Sequence, residues 1–180
     1  MNINDTERLI QEANENIERN RLSDAAKCFE KAATIETDSV RKANMWQEAA
    51  TLYEQTGECL KAASRYQSVS KLLETEDKVK CLMASWKCLI SGLVTCEYEC
   101  SWEWHGDSEE HASSHDVYQS AIRKYQVEAE RVLSMILHLQ GIDSRKILNE
   151  ARLECKRLER EGGWGASRCK EIVEHVTNES

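Results

Sequence analysis

The chain has 180 residues, no proline, seven glycines and a formal net charge of −8. A chain of this length can bury a sizeable core as one domain, residues 1–180, whereas two halves would each be marginal. The acidic balance disfavours wrapping of bare nucleic acid, and the lack of proline removes the strongest helix breaker, so a mostly helical fold is expected before any periodicity is read.

The start, "MNINDTERL", is polar and acidic and lacks the basic and apolar segments of a secretory signal. Leu9, Ile10, Ala13 and Ile17 then recur at helical spacing. Ala25, Ala26, Phe29, Ala32 and Ala33 mark a second helix, opened by Ser23 as N-cap. Val40, Ala43, Trp46, Ala50 and Tyr53 mark a third, stopped by Gly57. Leu60, Ala63, Tyr66, Val69 and Leu73 give a fourth, and Val79, Leu82, Met83, Trp86, Ile90 and Leu93 a fifth. The apolar run Cys81–Val94 is shorter than the roughly 20 residues of a membrane span and is interrupted by Lys87. The expectation is a cytoplasmic protein without a membrane span, its eight cysteines kept as reduced thiols.

The periodicity stops at the polar stretch from Cys96 to His115 and resumes at Asp116, where Asp116 and Gln119 form a capping-box-like pair. Tyr118, Ile122, Tyr125, Ala129, Val132, Ile136 and Leu139 follow, up to Gly141. Ile147, Leu148, Ala151, Cys155 and Leu158 predict a seventh helix ended by Gly162 and Gly163, and a short eighth covers about 167–176. Strand-type alternation does not persist anywhere. The fold class predicted is all-α, about eight helices in antiparallel pairs, with pairs over 5–95, a polar insertion at 96–115 and C-terminal helices over 116–177.

Ala25, Phe29 and Ala32 reappear as Ala62, Tyr66 and Val69, an offset of 62 − 25 = 37 residues. Trp46, Ala49, Ala50, Tyr53 and Gly57 precede the second trio: a large residue, two small ones where helices cross, an aromatic, then a turn glycine. On these residues "AAKCFEKAATI" and "MWQEAATLYEQTGECLKAASRYQSV" resemble a tetratricopeptide-type solenoid. The resemblance runs over roughly Thr6–Thr95 and is strongest over Asp24–Ser70. The Ala-rich pairs are also similar to the soluble attachment-protein (SNAP) branch, which would imply an adaptor in vesicle trafficking. The tetratricopeptide resemblance implies a right-handed superhelix whose first helices line a concave, protein-binding surface. It also makes Trp46, Tyr53, Phe29 and Tyr66 packing residues, so that Trp46→Ala should unfold the protein.

On the third helix the side away from Trp46 and Tyr53 carries Asn44, Gln47, Thr51, Glu54 and Gln55, and on the first helix it carries Glu7, Asn14, Glu18 and Ile10. Asn14, Asn44, Gln47, Thr51, Glu54 and Gln55 are the candidate binding residues for another protein or peptide. The lysine, asparagine and arginine clamp that tetratricopeptide co-chaperones use is absent apart from Asn14, which disfavours a chaperone's terminal carboxylate as the ligand. On the seventh helix Arg145, Arg152, Lys156 and Arg160 lie along one side near Glu150 and Glu154, a mixed-charge solvated face or a site for an acidic partner.

Cys96 and Cys100 are separated by three residues, His111 and His115 by three, and the two pairs by ten. A two-Cys two-His finger spaces its pairs by roughly two to four and three to five residues, with about twelve between. Trp104 suits the finger's core aromatic, but Glu110 falls where its leucine should be. A connecting insertion is the first reading and a zinc-binding helical module the second. No glycine-rich phosphate loop and no His-Glu-x-x-His occurs, and "EGGWGAS" follows a helix rather than a strand. The expectation is a non-catalytic scaffold or adaptor with no cofactor.

Overall fold

The computed structural model describes residues 3–103, 109–161 and 165–179, with the side chains of 3–4, 101–103, 109–115 and 179 outside that description. The protein is all-α. Among the described residues there are eight helices and no strand: α1 (Ile3–Glu18), α2 (Leu22–Ile35), α3 (Ser39–Gln55), α4 (Cys59–Ser70), α5 (Thr75–Glu103), α6 (Glu109–Leu137), α7 (Ser144–Arg160) and α8 (Ala166–Glu179). Contacts divide the chain inside α5 into two compact units, Met1–Cys88 and Leu89–Ser180.

In the first unit consecutive helices pack as neighbours, α1 on α2, α2 on α3 and α3 on α4. Alanines sit where they meet: Ala13, Ala25, Ala26, Ala32, Ala33, Ala49, Ala50, Ala62 and Ala63 are all buried. A methyl group lets two helix backbones approach closely, and the bulkier Phe29 and Tyr53 fill the space beside them. The 37-residue offset survives in the packing. Ala13 and Ala50, Ala25 and Ala62, and Ala32 and Val69 each share full burial.

Alternate helices are also tied. Arg41 of α3 pairs with Glu7 of α1, and Arg65 of α4 lies 3.5 Å from Glu30 of α2. The Glu30 carboxylate accepts the Tyr53 hydroxyl at 2.9 Å. Burial, reinforced by that carboxylate, holds the Tyr53 phenol far above its ordinary pKa, so it stays a donor. Ser85, fully buried in the first part of α5, donates to the Ala63 carbonyl at 3.0 Å and accepts from Gln67 at 3.2 Å.

The caps differ in how well the sequence announced them. Gly57, at φ +74°, ends α3 as expected, and Asp38 caps its start by accepting from the Arg41 amide at 2.8 Å. Ser23 is not the cap of α2. Arg21 holds that position, and the Ser23 hydroxyl donates to Glu58 at 2.7 Å, pinning α2 to the turn between α3 and α4. Asp116 and Gln119 do not open α6 either, because the helix begins two turns earlier.

For the same reason the expected insertion at 96–115 shrinks. Residues 96–103 extend α5, and 109–115 start α6. Neither stretch contains glycine or proline, so nothing in the backbone chemistry stops a helix there. Hydrophobic periodicity reports burial, and it fades where a helix stops burying a face although the helix itself continues. Extended in this way, α5 is long and apolar enough to cross a membrane by length and composition, unlike the run 81–94 alone. Half of the apolar window is buried inside the protein, with Leu82, Trp86, Ile90 and Leu93 fully covered, as in a core helix.

In the second unit α6, α7 and α8 contact one another. Two glycines mark close approaches to α5. A Cβ on Gly92 would overlap the Tyr125 ring, and one on Gly165, itself at φ +70°, would meet Val94. Gly92→Ala is therefore expected to cost about 1 kcal/mol net, with about 2 lost in displacing the ring and about 1 gained in helix propensity. In a Tyr125→Ala background the sign should reverse, and urea unfolding of the four proteins in that cycle measures the coupling.

Cys155 of α7 and Cys169 of α8 form a disulfide across the last turn. The expectation that all eight cysteines are reduced is corrected for this pair, and six free thiols remain. Both residues lie on the apolar faces of their helices, at 2% and 0% exposure, and Cys155 falls in the apolar spacing that predicts α7. The glycines expected to end α7, Gly162 and Gly163, lie outside the described residues.

Candidate functional site

The exposed surface of α3 runs opposite its buried residues Met45, Ala49, Leu52 and Tyr53. Asn44, Gln47, Glu54 and Gln55 are exposed on it and Thr51 is half-buried, its hydroxyl bonded to the Gln47 carbonyl at 3.0 Å. Asn14 is exposed on α1. Among the described residues the side-chain amides of Asn14, Asn44, Gln47 and Gln55 make no hydrogen bond within the protein, so each presents a donor and an acceptor to water.

Glu54 differs from the rest of this group. Its carboxylate accepts the Tyr66 hydroxyl at 3.0 Å and so serves the packing of α3 on α4. Burial pushes the Tyr66 phenol up to about 12, with Glu54 adding to the effect. The tie between α1 and α3 lies at their N-terminal ends, where Arg41 also reaches Glu36 at 3.1 Å. Hydrophobic side chains fringe the amides: Val40 is 67% exposed and Ile17 39%.

Of the four residues with finger-like spacing, Cys96 and Cys100 lie on α5, one turn apart. Gln119 of α6 donates to the Cys100 sulfur at 3.5 Å, and the Tyr125 ring lies on Gly92. α5 and α6 are thus antiparallel, with Cys96 level with about position 122. The side chains of His111 and His115, with Trp102, Trp104, His105 and Glu110, lie outside the described residues. Among those described, no cluster of three or more metal-ligating side chains forms.

The free thiols whose protonation shifts are held in their neutral form by burial: Cys28 and Cys81 are raised, and Cys88 is pushed up to about 12. A neutral buried thiol is a poor nucleophile.

On α7, Glu154 pairs with Arg157 rather than with the expected stripe, and Glu159 pairs with Lys170. Arg145, Arg152, Lys156 and Arg160 stay exposed, without a carboxylate partner among the described residues.

The sequence reading missed a cleft of about 470 Å³ in the second unit, lined by Gln119, Ser120, Ile122, Arg123, Gln126 and Arg168. Its signal was present as Gln119, Arg123 and Gln126 at helical spacing, but Gln119 had been assigned to a cap.

No family model, curated protein sequence or solved structure matches the chain.

Proposed function

We propose that the protein is a non-catalytic scaffold of tetratricopeptide-like type, binding another protein or peptide through the exposed face of α1 and α3. The observation that carries this reading is the repeat of burial at a 37-residue offset, which leaves unpartnered amides on the outward side of each first helix. Stacked helix pairs offer broad surface with few converging side chains, which suits recognition better than chemistry. Amides serve such a role because they satisfy both the N–H and the C=O of a bound backbone.

Photo-crosslinking of the full chain in cell extract tests it. A crosslinker at position 47, on α3, is expected to trap a discrete adduct that disappears in an Asn44→Ala/Gln55→Ala background. A crosslinker at position 31, exposed on α2, should trap none. Equal adducts from both positions, or none from position 47, would refute the assignment. The exposed substitutions should leave stability within about 0.5 kcal/mol each.

A further inference from the structure

The cleft in the second unit combines groups that the rest of the surface keeps apart. Gln119, Arg123 and Gln126 stand at i, i+4 and i+7 on α6, so they share one side over about 10 Å of helix. Ile122, 3% exposed, forms the apolar floor, and Ser120 adds a hydroxyl. Arg168 enters from α8 and donates its Nε–H to Glu97 of α5. A guanidinium carries five N–H donors, so the terminal nitrogens of Arg168 remain unused among the described residues. Arg123 is exposed and has no hydrogen-bond or carboxylate partner among the described residues. Two guanidinium groups therefore line one cleft, and of the two carboxylates tied to its lining Glu97 pairs with Arg168 while Glu130 is held by Gln126.

The glutamines contribute the opposite polarity. Gln119 spends its amide nitrogen on the Cys100 sulfur at 3.5 Å, and Gln126 spends its own on Glu130 at 3.1 Å. Their amide oxygens are left as acceptors at the two ends of the row. A ligand fitting this pattern needs an anionic group between the arginines and N–H donors on either side. An extended peptide meets that requirement, since three residues at about 3.3 Å each span about 10 Å.

We propose that this cleft binds an acidic peptide segment, one Asp or Glu carboxylate seated between Arg123 and Arg168 and backbone N–H groups on Gln119 and Gln126. An isolated oxyanion fits less well, because it offers acceptors alone to the two amide oxygens. Nucleic acid fits less well again, because two cations on a chain of net charge −8 are too few for a phosphate backbone. The inference concerns a different unit from the α1 and α3 face and stands independently of the scaffold reading.

The test is fluorescence anisotropy of the full chain with labelled hexaglutamate and hexaglutamine peptides at low salt. Hexaglutamate should bind and hexaglutamine should not. Arg123→Gln should weaken hexaglutamate at least tenfold with an unchanged melting temperature. Glu97→Gln should tighten it several-fold, because Glu97 competes with the ligand for Arg168; a purely structural ion pair would give no tightening. Arg152→Gln/Lys156→Gln, on the cationic stripe of α7, should change nothing. The proposal is overturned if the two peptides bind alike, if affinity survives in Arg123→Gln, or if a folded Glu97→Gln binds no more tightly. It is also overturned if the loss follows the α7 substitutions, or if inorganic phosphate binds while hexaglutamate does not. Should Glu97→Gln fail to fold, the Arg123→Gln comparison decides.

Discussion

Trp86→Ala is expected to destabilise the first unit by about 3–5 kcal/mol, a large share of the roughly 5–15 kcal/mol that holds a domain folded. Trp86 has no exposed surface, so truncation removes an entire buried indole and leaves a void in a close-packed region. Its Nε1–H finds no acceptor among the described residues. A buried unsatisfied donor costs about 1–3 kcal/mol, a cost that Trp86→Phe removes along with the extra ring. The phenylalanine variant should therefore lose far less than alanine. Urea unfolding followed by circular dichroism compares the two, and equal losses would show that the indole nitrogen is satisfied after all. Trp46, which the repeat signature made the central packing residue, should be less sensitive. It is half-buried, with the Lys42 ammonium 5.7 Å from its ring, so Trp46→Ala should cost less than Trp86→Ala and leave the protein folded.

Trp46 and Trp86 show where the sequence was legible and where it was not. The number of helices and their order followed from apolar spacing, because every helix except the margins of α5 and α6 buries a continuous stripe. The alanine repeats were readable for the same reason, since a small residue at a fixed offset has little other use than a close crossing. The depth of an aromatic was not readable. It depends on which neighbouring helix covers it, and covering is a tertiary event. Ser23 failed as a cap because its hydroxyl finds Glu58, thirty-five positions away, which no local pattern encodes. The Cys and His spacing at 96–115 stays a spacing argument, because the side chains of His111 and His115 lie outside the described residues. At the candidate binding face the exposed amides of α1 and α3 were foreseen, whereas Glu54 turned out to be engaged by Tyr66.

Reduction of the Cys155–Cys169 disulfide should lower the stability of the second unit by about 3 kcal/mol. The bridge spans 14 positions, and closing a loop of that size removes roughly this much chain entropy from the unfolded state. The bond joins the later part of α7 to the first turn of α8, so its loss frees the connection between them while the packing of Ile147, Ala151, Leu158 and Ile172 remains. A weakened fold is therefore expected rather than an unfolded one. Denaturant unfolding with and without a dithiol reductant measures the difference. The Cys155→Ala/Cys169→Ala protein supplies the control, since reductant should have no effect on it. Thiol titration in denaturant gives an independent reading: six of the eight cysteines should react before reduction and all eight after it. Eight reactive thiols in the untreated protein would remove the bridge. The stability of the second unit would then rest on side-chain packing alone.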